Sequence, residues 1–234
     1  AATRGEYEEQ GDRDRTHAVI PSRGEGAHAE ARVQPLDRRD TMTSYYLGEH
    51  AMGNIERIGV IGGGLMGSGI TEVAARAGLD VVVVEISGDA AKSASARVEG
   101  SLRRAEKRGK IDAADVDAAL ERLTFSDDLE QLADRDLVVE AASEDEQTKL
   151  DLFRRVGSIL TKDDAILASN TSSIPIVKLG AVSGRPHHVM GVHFFNPAPV
   201  MQLVELIPSL TTSPETLDRM RSWVTDSLGK KPID

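Results

Sequence analysis

The pattern of apolar and polar positions changes sharply at Ile55. From there on, short apolar runs alternate with longer amphipathic stretches, and the runs at 58–61, 81–84, 137–139 and 165–168 consist almost entirely of aliphatic residues and glycine. Short continuous apolar runs are typical of strands that are buried on both faces of a parallel sheet. The pattern therefore predicts an α/β fold of the doubly wound, Rossmann type, with a mostly parallel sheet and helices on both faces.

The remaining elements complete this alternation of strands and helices. Helices are predicted at 65–77, 89–108, 112–121, 146–160 and 214–228, and further strands at 123–125, 189–194 and 201–207. The second and third helices follow one another with a break at Gly109, so they form a helical pair inserted after the second strand. The last helix begins after Ser213, a residue type that caps helices, with Pro214 at its first position.

Residues 1–53 show neither the apolar pattern of a helix nor that of a strand. They carry charges of both signs and few large aliphatic side chains. Such a segment buries too little apolar surface to offset the entropy of ordering it, so we predict a disordered N-terminal extension. Residues 54–234 are predicted to form a single folded domain. The final residues, 229–234, have the pattern of a turn and the start of a strand, so we interpret the chain as part of a longer protein.

Composition narrows the class of protein. The net charge of −10 disfavours nucleic acid and anionic membrane surfaces as partners, and no stretch approaches the ~20 apolar residues of a membrane helix. The chain has no cysteine, which excludes disulfides and thiolate metal sites. No group of histidine and acidic residues has the spacing of metal ligands. We therefore predict a cytoplasmic protein without a metal.

Glycines are concentrated directly after the first predicted strand. Residues 61–69 read Ile-Gly-Gly-Gly-Leu-Met-Gly-Ser-Gly and contain the motif Gly-x-Gly-x-x-Gly. Between a strand and a helix, these glycines permit a tight turn, a close approach of a pyrophosphate to the backbone, and close packing of the helix on the strand. The pyrophosphate then lies on the free amides at the positive end of the helix. The predicted cofactor-binding residues here are Gly62, Gly64, Leu65, Met66 and Gly67.

An acidic residue ends the second predicted strand. Glu85 lies about 20 residues after the glycines, where a carboxylate accepts hydrogen bonds from the adenosine ribose. A carboxylate there also repels the 2′-phosphate of NADP, and no arginine occurs in the next three residues. We therefore predict NAD rather than NADP as the cofactor, although the glycine motif alone leaves FAD open.

Two polar segments follow the fifth and sixth predicted strands. The first is Ser-Asn-Thr-Ser-Ser at 169–173, and the second is His-Phe-Phe-Asn-Pro at 193–197. Histidine suits the removal of an alcohol proton near neutral pH, and an adjacent carboxylate fixes its tautomer and stabilises its charged form. A proline-rich turn and a returning strand would bring Glu205 beside His193. We predict that these two residues form an acid–base pair and that Ser172 aligns the substrate oxygen.

Each of these residues also has a purely structural explanation when it is considered alone. Ser172 would cap a helix that begins at 174–175, His193 would be a hydrogen-bonded strand residue, and Glu205 would be an exposed one. The catalytic interpretation therefore depends on the three side chains occurring together.

Taken together, the motifs resemble those of the 3-hydroxyacyl-CoA dehydrogenases. They are GGGLMGSG at 62–69, VVEA at 138–141, SNTSS at 169–173, GVHFFNPAPVMQLVE at 191–205 and LGK at 228–230. The resemblance covers about residues 55–234 and is greatest to the short-chain, 3-hydroxybutyryl-CoA type.

The resemblance implies roles for individual residues. It assigns the catalytic base to His193, the acidic partner to Glu205, and a contact with the substrate hydroxyl near the nicotinamide to Ser172. Glu85 stands where the family often has aspartate. The resemblance assigns further cofactor contacts to Glu144, Lys149 and Asn196.

The predicted helical pair carries a run of basic residues in an otherwise acidic chain. These are Arg103, Arg104, Lys107, Arg108 and Lys110. The resemblance implies that this region binds the phosphates of CoA and that Ser101 and Arg108 contact the substrate there. Arg108 replaces the usual lysine, and arginine can grip phosphate through two donors. Cations near the end of a helix also favour its dipole, which is an alternative explanation for any one of them.

The resemblance implies an NAD-dependent oxidoreductase that interconverts (3S)-3-hydroxyacyl-CoA, in particular 3-hydroxybutyryl-CoA, and 3-oxoacyl-CoA in fatty acid and butanoate metabolism, including beta-oxidation. It also implies a C-terminal helical domain that forms a homodimer and covers the acyl-CoA. We expect that domain to be absent from this chain, and the chain alone to bind NAD as a monomer with little or no turnover. The alternatives are a dehydrogenase of a non-CoA hydroxy or sugar acid, and a non-catalytic NAD-binding protein.

Overall fold

A computed structural model describes residues 54–234. These residues contain one eight-stranded sheet with the strand order β3-β2-β1-β4-β5-β6-β7-β8. The strands are β1 (Arg57–Ile61), β2 (Asp80–Val84), β3 (Leu123–Ser126), β4 (Leu137–Glu140), β5 (Ile166–Ser169), β6 (Val189–Phe194), β7 (Leu203–Pro208) and β8 (Lys231–Ile233). The predicted disorder of residues 1–53 falls outside the described residues.

The described residues also form six α-helices. They are α1 (Leu65–Arg76), α2 (Gly88–Lys107), α3 (Ala113–Glu121), α4 (Glu146–Ile159), α5 (Ile176–Ser183) and α6 (Pro214–Ser222). Short 3-10 turns lie at Leu129–Leu132 and Pro186–His188. None of the helices in the described part of the chain combines the length and apolar character needed to span a bilayer.

The six strands β1 to β6 run parallel, and β7 returns antiparallel to β6. The chain moves from β1 outward to β3 and then crosses to β4 on the other side of β1. In doubly wound sheets, this reversal opens a crevice at the carboxyl ends of the strands, where ligands bind. The predicted Rossmann-type, mostly parallel sheet is confirmed.

Two apolar layers enclose the sheet. Side chains of α1, α2, α3 and α6 cover one face, including the buried Ile70 and Leu102. Side chains of α4 and α5 cover the other face, including the buried Phe153 and Leu179. Central strand residues such as Val138 are fully buried, which explains why these strands appear in the sequence as continuous aliphatic runs.

Capping residues determine where three of the helices begin. The side chains of Ser87, Asp145 and Ser213 accept hydrogen bonds from the backbone N–H groups three residues later, at 3.3, 2.8 and 3.2 Å. Gly109 has a φ of 63° and separates α2 from α3. The predicted helical pair after the second strand is therefore present.

The C-terminal elements differ from the prediction in detail. The seventh strand begins at Leu203 rather than at residue 201, because the proline-rich turn extends further. The predicted helix at 214–228 ends at Ser222 and continues as a π-helical turn at Trp223–Ser227. There the N–H of Leu228 donates to the carbonyl of Trp223, five residues earlier, at 3.0 Å.

Candidate active site

The hairpin of β6 and β7 places His193 directly opposite Glu205. The two residues are paired in the antiparallel register, and His193 Nδ1 lies 2.6 Å from Glu205 Oε2. An ionised carboxylate only accepts hydrogen bonds, so Nδ1 carries the proton and Nε2 is left as a basic nitrogen. The side chains of His193 and Glu205 are 24% and 39% exposed, so the pair remains accessible at the carboxyl end of β6.

The loop after β5 lies beside this hairpin. Asn170 Oδ1 accepts a hydrogen bond from the N–H of Phe194 at 2.8 Å, which joins the loop to the end of β6. Ser172 is exposed in the same loop. Among the described residues it makes no hydrogen bond to His193. The structure therefore brings His193 and Glu205 into contact and places Ser172 in the neighbouring loop.

Glu144 holds the loop in place. Its Oε1 accepts hydrogen bonds from the N–H of Ser172 at 3.1 Å, from Ser173 Oγ at 3.0 Å and from Thr171 Oγ1. Partial burial tends to raise the pKa of Glu144. The hydroxyl and amide donors and the charge of Lys149 outweigh this effect and lower the pKa below its usual value. The carboxylate is therefore a charged acceptor that orients the loop.

Lys149 is buried, although the resemblance makes it a cofactor contact. Only 1% of its side chain is exposed. Its Nζ lies 2.6 Å from Glu140 Oε1 and 3.4 Å from Glu144 Oε2. Glu140 is fully buried and also accepts a hydrogen bond from Ser169 Oγ at 2.6 Å. The ammonium group is thus part of an internal network that connects β4, α4 and the loop after β5.

The turn between β6 and β7 contains Asn196, which is exposed. The Asn196–Pro197 peptide bond is cis. Lys230 anchors the turn because its Nζ donates to the carbonyls of Ala198 at 2.9 Å and Met201 at 2.6 Å. The third residue of the LGK motif therefore supports the segment that separates His193 from Glu205 along the chain.

The glycine-rich loop has the close packing expected of the dinucleotide motif. Gly62 adopts a φ of 89°. A Cβ added at Gly67 would lie 1.7 Å from the carbonyl oxygen of Gly62, so only glycine fits where α1 meets the loop. A Cβ at Gly64 would meet nothing within 4 Å, so the backbone is open there. No side chain of residues 54–234 caps α1, so none of them occupies its first N–H groups, which can bind a pyrophosphate.

A cleft of about 780 Å³, here called the glycine-loop cleft, lies at the ends of β1, β2 and β4. Its lining includes Gly62, Gly64, Glu85, Asp127, Ala142 and Thr148. Glu85 Oε1 accepts a hydrogen bond from the N–H of Gly63 at 2.6 Å. The carboxylate thus lies beside the glycines at the carboxyl end of β2. These residues fit an adenosine ribose and a pyrophosphate.

A second cleft of about 670 Å³, here called the basic cleft, lies between α1, α2 and the turn after β6. Its cationic lining residues are Arg76, Arg97, Arg104, Arg108 and Lys110. Ser101, Leu65 and Asn196 also line it. By contrast, Arg103 forms ion pairs with Glu106 and Asp117 at 3.2 and 2.7 Å. The predicted residues Ser101 and Arg108 therefore share one cleft, whereas Arg103 is paired away from it.

Sequence reasoning did not select Arg97, Asn170, Glu140 or Lys230. Arg97 lies four residues before Ser101, and this helical spacing was a signal that both share a face of α2. The other three belong to the SNTSS, VVEA and LGK motifs. The motifs alone gave them no role, because their contacts join segments that are distant in the sequence. Among residues 54–234, no group of three histidine or acidic side chains is arranged to hold a metal ion.

Comparison with known proteins identifies the family to which the fold just described belongs. The model of the family "3-hydroxyacyl-CoA dehydrogenase, NAD binding domain" matches residues 57–234. The chain belongs to this family. The match confirms the predicted family and NAD as the cofactor of the domain.

Relatives within the 3-hydroxyacyl-CoA dehydrogenases are similar over the same region. The 3-hydroxybutyryl-CoA dehydrogenase of Mycobacterium tuberculosis is 46% identical over 179 residues, which are 76% of this chain and 63% of that protein. A probable 3-hydroxybutyryl-CoA dehydrogenase of Deinococcus radiodurans is 46% identical over 177 residues, again 76% and 63%. The chain therefore spans about 63% of the length of these relatives.

Two solved structures are similar to this chain. The crystal structure of M. tuberculosis FadB2 superimposes with a TM-score of 0.76 at 45% identity, covering 77% of this chain and 64% of that one. The structure of (S)-3-hydroxybutyryl-CoA dehydrogenase PaaH1 from Ralstonia eutropha gives a TM-score of 0.74 at 42% identity, covering 77% and 63%.

Proposed function

We propose that the intact protein oxidises (3S)-3-hydroxyacyl-CoA to 3-oxoacyl-CoA with NAD. The intact protein here means the full gene product, of which this chain is all or part. The expected substrate is 3-hydroxybutyryl-CoA, within fatty acid or butanoate metabolism. Relatives that are 46% identical carry the name 3-hydroxybutyryl-CoA dehydrogenase, which supports this choice. Residues 54–234 would serve as the NAD-binding and catalytic domain. The homodimer and the cytoplasmic location stay predictions.

The observation that carries the proposal is the 2.6 Å contact between His193 Nδ1 and Glu205 Oε2. NAD, when bound, accepts a hydride from the carbon that bears the hydroxyl group. His193 Nε2 takes the hydroxyl proton, and the carboxylate of Glu205 stabilises the resulting imidazolium. In the reverse direction, the imidazolium returns the proton to the oxygen. The carboxylate also fixes the ring orientation, because it holds Nδ1 in place.

The loop after β5 would align the reacting groups. Ser172 is exposed, and its hydroxyl is expected to hold the substrate oxygen beside His193. Glu144 supports that position because it accepts the hydrogen bond from the N–H of Ser172. The exposed amide of Asn196 is expected to contact the nicotinamide side of the cofactor. Lys149 is expected to act through Glu144, since its ammonium group is buried.

Two clefts would hold the two anionic ligands. Gly62 and Gly64 in the glycine-loop cleft, together with Leu65, Met66 and Gly67 at the start of α1, would bind the pyrophosphate of NAD. Glu85 would bind the adenosine ribose in the same cleft. In the basic cleft, Ser101 and Arg108 would bind the phosphates of CoA. Local positive charge of this kind attracts a polyanion even in a chain of net charge −10.

The test compares substrates in the intact protein. Formation of the reduced cofactor is measured with 3-hydroxybutyryl-CoA and NAD, with free 3-hydroxybutyrate and NAD, and with 3-hydroxybutyryl-CoA and NADP. We expect turnover with the CoA ester and NAD, and little with the free acid or with NADP. Turnover of the free acid at an equal kcat/KM would point instead to a hydroxy-acid dehydrogenase of the same fold. NAD binding without turnover of any hydroxyacyl-CoA would contradict the proposed activity.

A further inference from the structure

Gly63 is held by hydrogen bonds from both clefts. Its N–H donates to Glu85 Oε1 at 2.6 Å, and Glu85 lines the glycine-loop cleft. Its carbonyl oxygen accepts from Ser68 Oγ at 2.7 Å and from the guanidinium of Arg97. Ser68 and Arg97 both line the basic cleft. One buried residue of the cofactor loop is therefore positioned by side chains that face two different ligand sites.

The packing around Gly63 leaves it little freedom to move independently of α2. A Cβ added at Gly63 would lie 2.3 Å from the Cβ of Ala94. Ala94 and Arg97 lie three residues apart on α2, and Ser101 follows four residues later, so the three occupy one side of the helix. Close-packed protein interiors transmit strain. A displacement of α2 is therefore passed on to the glycine-rich loop.

Arg97 has donors to spare for a ligand. A guanidinium carries five N–H donors, and only NH1 of Arg97 donates within the described part of the chain, to Gly63. No carboxylate among residues 54–234 forms an ion pair with Arg97, whereas Arg103 on the same helix has two such partners. The side chain is exposed and shares its cleft with Arg104 and Arg108. An anion in the basic cleft thus meets donors of Arg97 that no described residue engages.

We propose that Arg97 is a positioning residue that couples the two ligand sites: phosphate groups bound in the basic cleft fix Arg97 against the carbonyl of Gly63 and so order the loop that binds NAD. This inference rests on the proposed function, since it takes CoA as the ligand of the basic cleft. Ordering the loop in advance removes part of the cost of binding NAD, so each ligand tightens the binding of the other by the same factor.

The experiment measures the Kd of NAD by calorimetry in the intact protein, with and without saturating CoA. CoA without an acyl group carries the phosphates and undergoes no oxidation of a hydroxyl group, so only binding is observed. In the wild type we expect CoA to lower the Kd of NAD by about fivefold or more. In Arg97→Ala we expect the ratio of the two Kd values to fall to about one.

Arg104→Ala is the matched control, because Arg104 is on the same helix and lines the same cleft. Among the described residues, its side chain makes no hydrogen bond to the glycine-rich loop. We expect it to weaken CoA binding and to keep the wild-type ratio once CoA is saturating. If CoA binds the wild type without changing the Kd of NAD, the coupling is refuted while the proposed function stands.

Two further outcomes would also overturn the coupling. If Arg97→Ala weakens NAD binding but keeps the full ratio, Arg97 has only a structural role in the loop. If the wild type binds NAD but does not bind CoA, the proposed substrate class fails and the coupling fails with it. The three negative results can be told apart. The first shows that the two ligands are not coupled, the second that the coupling does not run through Arg97, and the third that CoA is not the ligand of the basic cleft.

Discussion

Within the described part of the chain, Glu85 at the end of β2 has two hydrogen-bond partners, and both are backbone amides. Oε1 accepts from the N–H of Gly63 at 2.6 Å, and Oε2 accepts from the N–H of Ile86 at 3.1 Å. The carboxylate therefore fixes the glycine-rich loop while it faces the glycine-loop cleft. We predict that the same carboxylate also favours NAD over NADP.

The substitution Glu85→Gln tests this double role. The amide keeps the size of the side chain and removes the charge that attracts the amides and ribose hydroxyls and repels a 2′-phosphate. Loss of a charge-assisted hydrogen bond costs about 1.5 kcal/mol or more, so the Kd of NAD should rise by about tenfold. The ratio of the Kd of NADP to the Kd of NAD should fall, because the repulsion of the 2′-phosphate is removed. Titration with each cofactor measures both effects. Unchanged Kd values for both would show that Glu85 contacts neither.

The sequence allowed much of the residue-scale assignment and missed part of it. Gly62 and Gly67 were predicted as cofactor-loop residues because the local motif requires glycine. The structure shows the reason at Gly67, where a side chain would collide with the carbonyl oxygen of Gly62. The contact of His193 with Glu205 was predicted from a turn between two apolar runs. The burial of Lys149 was not predicted, because nothing near it in the sequence indicates that its partner Glu140 lies beneath it at the end of β4.

At the scale of elements, the buried pair of Lys149 and Glu140 joins α4 to the end of β4. Lys149 is 1% exposed and Glu140 is fully buried. Glu140 also accepts hydrogen bonds from Ser169 Oγ at 2.6 Å and from the N–H of Ala142 at 2.7 Å. Charges that are removed from water in this way require a complete set of partners. The network therefore fixes how three segments meet at the carboxyl edge of the sheet.

The substitution Lys149→Met should be strongly destabilising, because it leaves the carboxylate of Glu140 buried without its cation. We expect a loss of about 3–5 kcal/mol in the free energy of unfolding, measured by denaturant titration. The matched control is Lys178→Met, since Lys178 forms an ion pair with Glu146 at 2.7 Å in which both side chains are about half exposed. That pair should contribute about 1 kcal/mol or less. Equal losses in the two variants would contradict the structural role given to Lys149.

Helix and strand positions followed from the sequence where the local signals were strong. Aliphatic runs located β1, β2, β4 and β5, and Ser213 with Pro214 located the start of α6. The end of that helix was not predicted, because its last turn widens into a π-helical turn at Trp223–Ser227, where tertiary packing buries Trp223. Helix propensity does not predict the change from an α-helix to a π-helical turn, since the same residues would continue a regular helix.

At the scale of the whole molecule, the sheet gathers the polar residues at one edge. The glycine-rich loop follows β1, Glu85 follows β2, the loop with Ser172 follows β5, and His193 lies at the end of β6. Because parallel strands end at the same edge, motifs that are far apart in the sequence lie along one edge of the sheet. The basic cleft lies beside this edge and concentrates positive charge within an acidic protein. Arg97 connects that cleft to the cofactor loop, and only the folded structure reveals this link.

The central claim is that His193 is the base that removes the substrate proton beside NAD, and one measurement tests it most directly. The kcat for 3-hydroxybutyryl-CoA and the Kd of NAD are measured in the intact protein for His193→Gln, with His187→Gln as the control. His187 is an exposed histidine whose Nδ1 contacts the carbonyl oxygen of Thr211 at 2.9 Å.

The account predicts that His193→Gln lowers kcat by about 100-fold or more and leaves the Kd of NAD close to the wild-type value, since glutamine cannot accept the proton and His193 does not hold the cofactor. His187→Gln should change neither quantity. A wild-type kcat in His193→Gln would contradict the account.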